Sequence, residues 1–459
     1  MTTTKLKNQA TWYDPLNTPV IMTSIAIVYA IFVTLALFAV PKSSPIYNLV
    51  AMVTFPAFVL TPMIFLYLPI KTRYRAILVA IALLIVMPIV GFYFQEYLDT
   101  VIQICIYACL ALGLNVVVGY AGLLDLGYIA FFAVGAYLWG MFTSTAPTIF
   151  QEMQWVTTSP YAIFPFIILG ALLAGLVGII LGLPVLRLKG DYLAIVTLGF
   201  GEIIRVVARN LDRPTNWTNG ALGLNNVLKP PSDFLIPPVT NLIAFLDMSV
   251  RDIRVDKVET IASNLMIYLI SLAILLVVVY VSRALDDSPI GRAWTAIRED
   301  EVAAVAMGVP KLGMKIRAFA LGATFGGAVG VLFSAKQTFI DPASFLLIAS
   351  ISILSMVIIG GLGSVKGVLL GAIIVKLIEL HILTNLNLQI SSMKSDGTIL
   401  FGFNMSTLDP QLDPTKFKPL IFGAILVTMM VFRPAGLLPA KRRQLELEDA
   451  HEPNITVAA

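Results

Sequence analysis

Long apolar stretches separated by polar segments occupy most of this chain. A helix that crosses the hydrocarbon core of a bilayer needs about 20 apolar residues, and many of the stretches reach that length. The pattern predicts an all-α fold: a polytopic integral membrane protein with about ten to twelve transmembrane helices, some of them short or broken. The candidate spans are Val20–Val40, Ile46–Ile70, Ala76–Phe94, Thr100–Val118, Gly127–Phe142, Ala162–Leu186, Tyr192–Val207, Ala262–Val281, Ile316–Phe333, Phe345–Ile359, Gly367–Leu383 and Pro419–Phe432.

A strongly polar segment, Arg283–Arg317, interrupts this pattern late in the chain. It contains six cationic and five anionic side chains, although only 13% of all residues are charged. Ser288 followed by Pro289 predicts the start of a helix, because serine caps helices and proline is accepted at the first helical position. A second helix is predicted over Arg298–Met307, and the glycine and proline of Gly308–Pro310 end it.

Three residues of this second helix, Glu301, Ala304 and Gly308, follow the spacing of one helix face. Small residues there leave room for a partner to approach closely, and the carboxylate supplies a directional anchor. The alternative is an amphipathic helix lying on the inner leaflet, which prefers a basic polar face. The acidic run Glu299-Asp300-Glu301 argues against that alternative, so the segment favours docking of a cytoplasmic partner.

Composition agrees with a membrane protein, since 58% of the residues are hydrophobic and the mean hydropathy is +0.88. The net charge of +4 is too small to indicate nucleic acid binding. Cys105 and Cys109 lie within one apolar run, where a structural role is expected. His381 and His451 are far apart in sequence, so neither a metal site nor a catalytic histidine cluster is predicted, and no bound cofactor is expected.

The charges of the loops predict how the chain crosses the membrane, because cytoplasmic loops carry the excess of lysine and arginine. This rule favours a multi-pass protein with both termini in the cytoplasm. It places loop 209–261 outside and the polar segment 283–317 inside. We further predict an N-terminal extension, residues 1–99, with about three extra transmembrane helices. A membrane-embedded core, residues 100–438, and a polar cytoplasmic tail, residues 439–459, follow.

Glycines and intramembrane polar residues are candidates for a solute pathway, because glycine allows a helix to break and a buried polar group is costly in lipid. The candidates are Gly119, Gly122, Asp125, Thr197, Gly199, Glu202, Gly360 and Gly361. Tight helix packing is the alternative for the glycines. Glu202 with Arg205, and Lys376 with Glu379, are spaced to pair on one helix face, and a purely structural role stays open for both pairs.

No phosphate-binding loop is present, since the dipeptide Gly-Lys occurs nowhere in the sequence. If ATP drives transport, another subunit must hydrolyse it. Two other classes of protein remain as alternatives: a stand-alone carrier or channel for a small solute such as urea, and a polytopic membrane enzyme. The docking segment has no evident role in a stand-alone channel, and the sparse histidines argue against an enzyme.

The run REDEVAAVAMGVP, Arg298–Pro310, resembles the cytoplasmic coupling motif of bacterial ABC importer permeases. Glu301, Ala303, Ala304 and Gly308 match that motif in type, whereas Val302 departs from its simplest spacing. The flanking runs SPIGRAWTAIRE, YLAIVTLGFGEIIR, GLLDLGYIAFFAVGAY, ISILSMVIIGGLGSVKGVLLGA and FRPAGLL together look like the LivM-type permease of branched-chain amino acid importers. The resemblance covers roughly residues 112 to 438, and permeases of related urea importers look similar.

This resemblance implies a subunit of a five-part importer in the bacterial inner membrane, for branched-chain or other neutral amino acids. Two homologous permeases would form the pathway, two ATP-binding subunits would dock inside, and an extracytoplasmic solute-binding protein would deliver the solute. Coupling to the ATPase would fall to Arg298, Glu301, Ala303, Ala304 and Gly308. The chain would catalyse no bond chemistry itself, and its partner subunits would use the ATP.

Overall fold

The computed structural model describes residues 19–39, 47–145, 159–188, 190–245, 255–395, 399–400, 403–404 and 414–440. Almost all of this part of the chain is helical. Its α-helices are α1 (Pro19–Ala39), α2 (Tyr47–Leu66), α3 (Thr72–Ile81), α4 (Met87–Tyr93), α5 (Gln95–Leu114), α6 (Ile129–Thr143), α7 (Ile163–Val185), α8 (Asp191–Asn210), α9 (Ile236–Phe245), α10 (Val255–Asp286), α11 (Pro289–Glu299), α12 (Glu301–Ala306), α13 (Lys311–Gln337), α14 (Leu347–Gly360), α15 (Val365–Lys376), α16 (Leu383–Ser395) and α17 (Lys418–Phe432).

Shorter elements join or extend these helices. Single π-helical turns lie at Ala82–Val86, Asn115–Tyr120 and Leu377–Ile382. Short 3₁₀ turns lie at Pro160–Ala162, Gly220–Leu222, Asp233–Leu235, Pro342–Phe345 and Pro414–Phe417. Two strands of two residues each, β1 (Ile399–Leu400) and β2 (Phe403–Asn404), pair antiparallel.

Within the described residues, seven helices are long and apolar enough to cross a membrane. They run over Ile21–Ala39, Thr72–Tyr93, Gln95–Tyr120, Pro160–Val185, Val258–Asp286, Lys311–Gln337 and Val365–Ser392. Four shorter apolar helices accompany them, at Val50–Leu66, Ile129–Thr143, Leu347–Gly360 and Lys418–Phe432. The prediction of an all-α polytopic membrane protein with some short or broken helices is therefore confirmed.

The chain divides into two compact units, Met1–Leu98 and Asp99–Ala459. In the first unit, α1 and α2 pack side by side, and the hydroxyl of Tyr29 donates a hydrogen bond of 2.9 Å to the carbonyl of Ala57. The rings of Phe55 and Tyr97 stack with their centroids 4.2 Å apart. Much of α1 is exposed, as expected of a helix that faces lipid.

The core of the second unit forms around α13, which packs against α6 and α7. At Gly327 the backbones of three helices meet: a Cβ added there would collide with the carbonyl of Gly170, and one added at Gly135 would collide with the carbonyl of Gly327. In lipid, where apolar side chains gain little from associating, this close backbone approach supplies much of the packing energy. The glycines at these crossings therefore fix the position of α13 within the second unit.

Candidate functional site

The polar segment forms two helices joined at Asp300. Ser288 caps α11 by accepting a hydrogen bond of 3.1 Å from the amide of Gly291, and Pro289 is its first residue, as predicted. The predicted continuous helix Arg298–Met307 is wrong at its start, because Asp300 is extended, with φ −148° and ψ 108°. Its carboxylate accepts hydrogen bonds from the amides of Val302 and Ala303, so it caps a new helix, α12.

A buried tryptophan holds α11 on the core helix α13. Trp294 is 1% exposed, and its indole nitrogen donates a hydrogen bond of 2.8 Å to the carbonyl of Met314. Ile297, one turn further along, is buried as well. A helix of eleven residues is unstable alone, so this apolar face fixes α11 to the membrane-embedded part of the chain.

The face of α12 that carries Glu301 and Ala304 lies against the protein itself. The carboxylate of Glu301 pairs with the ammonium groups of Lys311 and Lys315 on α13, and Ala304 is 4% exposed. Partial burial raises the pKa of Glu301, but the hydrogen bonds from the two lysines outweigh it and hold the pKa below its ordinary value. The expected arrangement, with Glu301 and Ala304 turned towards a partner, differs from this structure because α13 supplies the cations that attract the carboxylate.

The opposite side of α12 is apolar and exposed. Val302 is 79% exposed and Met307 is 85% exposed, and Ala303 and Val305 are exposed beside them. We call these four residues the outer face. Gly308 follows with φ +85°, a left-handed conformation that ends the helix and favours glycine. Exposed apolar side chains concentrated on so short a segment are typical of a surface that a protein partner covers.

Arg298, the last cation of α11, reaches into the membrane-embedded part of the chain. Its guanidinium donates a hydrogen bond of 2.6 Å to the carbonyl of Gly119, in the π-helical turn that follows α5. The side chain packs on Gly122, where an added Cβ would lie 2.8 Å from the Cγ of Arg298. The predicted coupling residue Arg298 and the predicted pathway residues Gly119 and Gly122 therefore form one contact.

Two glycine-rich segments, residues 116–127 and 356–367, meet at this point. The amide of Gly363 donates a hydrogen bond of 2.9 Å to the side-chain oxygen of Asn115. A Cβ added at Gly119 would lie 2.7 Å from the nitrogen of Gly363. A Cβ added at Gly363 would lie 3.7 Å from the carbonyl oxygen of Gly119, so the two segments pack directly on one another where their helices end. We call these two helix ends the glycine breaks.

The predicted pathway residues Gly360 and Gly361 lie at the second break, where α14 ends. The carbonyls of Ile359 and Gly360 accept hydrogen bonds of 2.9 and 3.0 Å from the amides of Leu437 and Leu438, near the end of the described chain. Non-helical backbone at membrane depth is tolerated only where protein or water satisfies it. The segment after α17 does so for this break.

Asp125 and Thr197 form a separate polar contact. Asp125 is 3% exposed and accepts a hydrogen bond of 2.9 Å from the amide of Gly127, while its second carboxylate oxygen has no hydrogen-bond partner in the described chain. The hydroxyl of Thr197, on α8, accepts a hydrogen bond of 3.1 Å from the amide of Leu126. This loop is thereby attached to α8, and one buried carboxylate oxygen remains unsatisfied beside it.

The other two pathway candidates on α8 do not join this contact. A Cβ added at Gly199 would meet no atom within 4 Å. Glu202 is 38% exposed and pairs with Arg205 at 2.7 Å, the spacing-based pair that the sequence predicts. Lys376 and Glu379 also pair, at 2.7 Å, with the Lys376 ammonium 3.2 Å from the centroid of the Tyr107 ring. Both predicted ion pairs form in the structure, and whether they serve the solute pathway or only the packing stays open.

Sequence reasoning missed three buried polar side chains near these breaks. Asn115 is 1% exposed, and its amide nitrogen has no hydrogen-bond partner among the described residues. On α14, the hydroxyl of Ser350 accepts a bond of 3.3 Å from the amide of Ile129, and the buried hydroxyl of Ser352 has no partner among the described residues. An isolated polar residue within an apolar helix is the signal that could have identified them.

The described ranges contain no group of three histidine, cysteine, aspartate or glutamate side chains that could hold a metal ion. Both cysteines are buried, and they do not form a disulfide. Here the site offers hydrogen-bonding groups, a fixed guanidinium and an exposed apolar turn.

A family model described as "Branched-chain amino acid transport system / permease component" matches residues 96–430. The chain is 35% identical over 346 residues to the high-affinity branched-chain amino acid transport system permease protein LivM of Escherichia coli, covering 75% of this chain and 70% of that protein. It is 35% identical to the protein of the same name from Salmonella typhimurium, covering 76% and 72%. A probable branched-chain amino acid transport permease protein LivM from Methanocaldococcus jannaschii is 24% identical, with 73% and 91% covered. No solved structure matches the chain.

Proposed function

Because the chain belongs to the family of permease components of branched-chain amino acid transport systems, we propose that it moves branched-chain or other neutral amino acids across the membrane. It would act as the transmembrane permease subunit of an ATP-driven importer. The observation that carries the coupling part of this proposal is the exposed apolar outer face of α12. It lies on a short helix that is braced on α13 and joined through Arg298 to the glycine breaks.

The subunit works in an assembly. A second, homologous permease completes the pathway, two ATP-binding subunits dock on the cytoplasmic side, and an extracytoplasmic solute-binding protein delivers the amino acid. Both termini lie in the cytoplasm of a bacterial cell, and the chain crosses its inner membrane. Lysine and arginine in the loops on that side support the orientation. ATP is bound and hydrolysed by the partner subunits.

The outer face, Val302, Ala303, Val305 and Met307, fits a groove on an ATP-binding subunit. These exposed apolar side chains give a partner area to bury, and Gly308, with its left-handed backbone, lets the chain turn away after them. Glu301 has a different task from the one expected of it. Its pairing with Lys311 and Lys315 makes α12 move as one body with α13. A displacement of the outer face by the partner is therefore transmitted to α13.

The movement then passes to the membrane through Arg298. The guanidinium holds the Gly119 carbonyl directly, and Gly119 packs on Gly363. A displacement of α11 therefore acts on both glycine breaks at once. The breaks place polar backbone groups at membrane depth, beside Asn115, whose side-chain amide nitrogen has no hydrogen-bond partner among the described residues. A small shift there can therefore open or close a polar path for a solute.

Two lysines on the outer face test the docking. The double variant V302K/M307K should lose co-purification of the ATP-binding subunit in mild detergent by roughly tenfold or more, because two ammonium groups would replace apolar anchors. The matched control is Leu222→Lys, since Leu222 is likewise an exposed apolar residue, 76% exposed, but lies in the loop after α8. Unchanged recovery of the ATPase with V302K/M307K would contradict the proposed docking face.

Uptake in cells that lack this chain tests the solute. Reintroducing the chain should restore uptake of labelled leucine, and unlabelled leucine should compete better than proline, glutamine or urea. The uptake should require a partner ATPase with an intact nucleotide site. Leucine flux through the purified chain alone in liposomes, or competition by urea only, would overturn the assignment.

A further inference from the structure

We propose that a polar pocket at the opposite end of α10 from the coupling segment receives the amino acid as a zwitterion before it enters the membrane. The inference deepens the proposed function and rests on it. The pocket measures about 420 Å³, which lies within the range of small-ligand sites, ~300–1,000 Å³. It forms where the loop before α9 meets the first turns of α10.

The position of the pocket follows from the length of α10. Glu259 and Ser263 line the pocket, whereas the same helix ends at Asp286, next to α11. At about 1.5 Å per residue, the helix advances roughly 40 Å between Glu259 and Asp286, more than the ~30 Å thickness of the hydrocarbon core. The pocket therefore opens on the membrane face opposite to the outer face of α12, which in an importer is the face where solute arrives.

Charges of both signs surround the pocket. Lys229, Asp233 and Glu259 line it and are exposed. In the described part of the chain no ion pair joins the lysine to either carboxylate, so all three remain available to a ligand. An α-amino acid carries one carboxylate and one ammonium. The lysine complements the first, and the two carboxylates complement the second.

The inner lining is polar as well and has unused hydrogen-bonding capacity. Ser263 is 5% exposed and lines the pocket, and its hydroxyl has no hydrogen-bond partner among the described residues. A buried hydroxyl without a partner costs free energy, about 1–3 kcal/mol, unless a water or ligand satisfies it. Ser232, 9% exposed, also lines the pocket. Leu228 and Pro160 supply an apolar wall for an aliphatic side chain.

The loop that carries the lysine is held in place rather than free. The carbonyl of Leu228 accepts a hydrogen bond of 3.0 Å from the indole nitrogen of the buried Trp139. The amide of Val227 donates a bond of 3.1 Å to the carbonyl of Thr338, and Pro230 and Pro231 fix the backbone that follows. Because the backbone that carries Lys229 is held before any ligand arrives, binding needs little ordering of the main chain.

The exposed charges set the expected affinity. Salt screens them, so the site should hold an amino acid only weakly, with Kd on the order of 1 mM. Weak binding suits a receiving site, which must accept a solute released by the binding protein and then pass it on. It also separates this site from a high-affinity one, because variants should alter the rate of transfer and not the capture of dilute solute.

A cysteine probe tests ligand binding directly on the assembled transporter. Thr260 is exposed and lines the pocket, so Thr260→Cys should react with a membrane-impermeant thiol reagent; the parent protein, whose two cysteines are buried, gives the background. Without binding protein present, leucine at about ten times the expected Kd should slow labelling by roughly tenfold. Leucinamide, which lacks the carboxylate, should protect much less. A reactive cysteine that leucine fails to protect would overturn the proposal.

Transport by the reconstituted complex separates a receiving site from a docking surface. With saturating loaded binding protein, K229Q should lower uptake by roughly tenfold while ATP hydrolysis stays stimulated, because solute is released but not received. The matched control is Arg213→Gln, an exposed cation of the same loop outside the pocket. If K229Q only raises the half-saturating concentration of binding protein, the pocket is a protein-docking surface and the proposal fails. If the wild-type complex transports leucine but K229Q matches it, this inference fails while the proposed function stands; absence of leucine uptake by the wild type would refute both.

Discussion

Replacing Arg298 by glutamine should separate ATP hydrolysis from solute uptake. Glutamine keeps the Cβ and Cγ atoms that pack on Gly122, but it removes the guanidinium that reaches the Gly119 carbonyl at 2.6 Å. The variant therefore removes the guanidinium contact between α11 and the first glycine break. It leaves the outer face of α12 and the lysine pairs of Glu301 as they are.

The size of the effect follows from the strength of that bond. A hydrogen bond from a charged donor contributes about 1.5–3 kcal/mol. If this energy links α11 to the breaks, its loss weakens the coupling between the two ends by roughly 10- to 100-fold. We expect the number of amino acids imported per ATP hydrolysed to fall by a factor approaching that range.

Proteoliposomes that contain the full complex supply the assay, with labelled leucine and released phosphate measured in parallel. The matched control is Arg292→Gln, because the Arg292 guanidinium is exposed and bonds the carbonyl of Asp287 within its own segment, at 3.1 Å. The ATP-binding subunit should co-purify equally with both variants. A wild-type ratio of uptake to hydrolysis in R298Q would refute the reasoning, and so would an equal loss in R292Q.

Two further predictions concern stability. Glu301→Gln should destabilise the complex by about 1–3 kcal/mol, because a buried lysine on α13 loses its carboxylate, with the partial exposure of Glu301 limiting the loss. Since the pKa of Glu301 is held below its ordinary value, the wild-type stabilisation is present above that ordinary value and is lost as the pH falls through the folded one. Melting temperatures across acid pH should therefore converge for wild type and E301Q, and a constant gap would contradict the pairing. Gly327→Leu should cost at least 1–3 kcal/mol by overpacking three helices, whereas Gly423→Leu, whose Cβ would meet no atom within 4 Å, should be tolerated; equal recovery of monodisperse protein would contradict the packing of α13.

The helices of this fold could be predicted from sequence because lipid imposes a length on each apolar run. The predicted span Val20–Val40 is helix Pro19–Ala39 in the structure, and Pro419–Phe432 is Lys418–Phe432. The helix cap at Ser288 could also be predicted, since capping depends only on residues close in sequence. The interruption between α11 and α12 at Asp300 is also a local capping feature. The sequence nevertheless predicts a continuous helix through the charged residues around it.

The direction of each face could not be predicted in this way. Glu301 points towards α13 because Lys311 and Lys315 lie on that helix. The angle between two helices cannot be predicted from the sequence of either helix alone. The partner of Arg298 is 179 positions away in sequence, and that of Asn115 is 248 away. No local pattern reports such contacts, so the sequence predicts Arg298 as a coupling residue but could not predict that its guanidinium bonds the carbonyl of Gly119.

The packing of the two glycine breaks has a consequence for movement. Asn115 accepts the amide of Gly363, and the nitrogen of Gly363 lies 2.7 Å from where a Cβ of Gly119 would be. If the first break moved without the second, a buried amide and a buried carbonyl oxygen would lose their partners, at about 1–3 kcal/mol for each. Moving both together keeps these bonds. The segment Leu437–Leu438 must follow, because its amides satisfy the carbonyls at the second break. We therefore infer that Arg298 shifts one body made of both breaks and the end of the described chain.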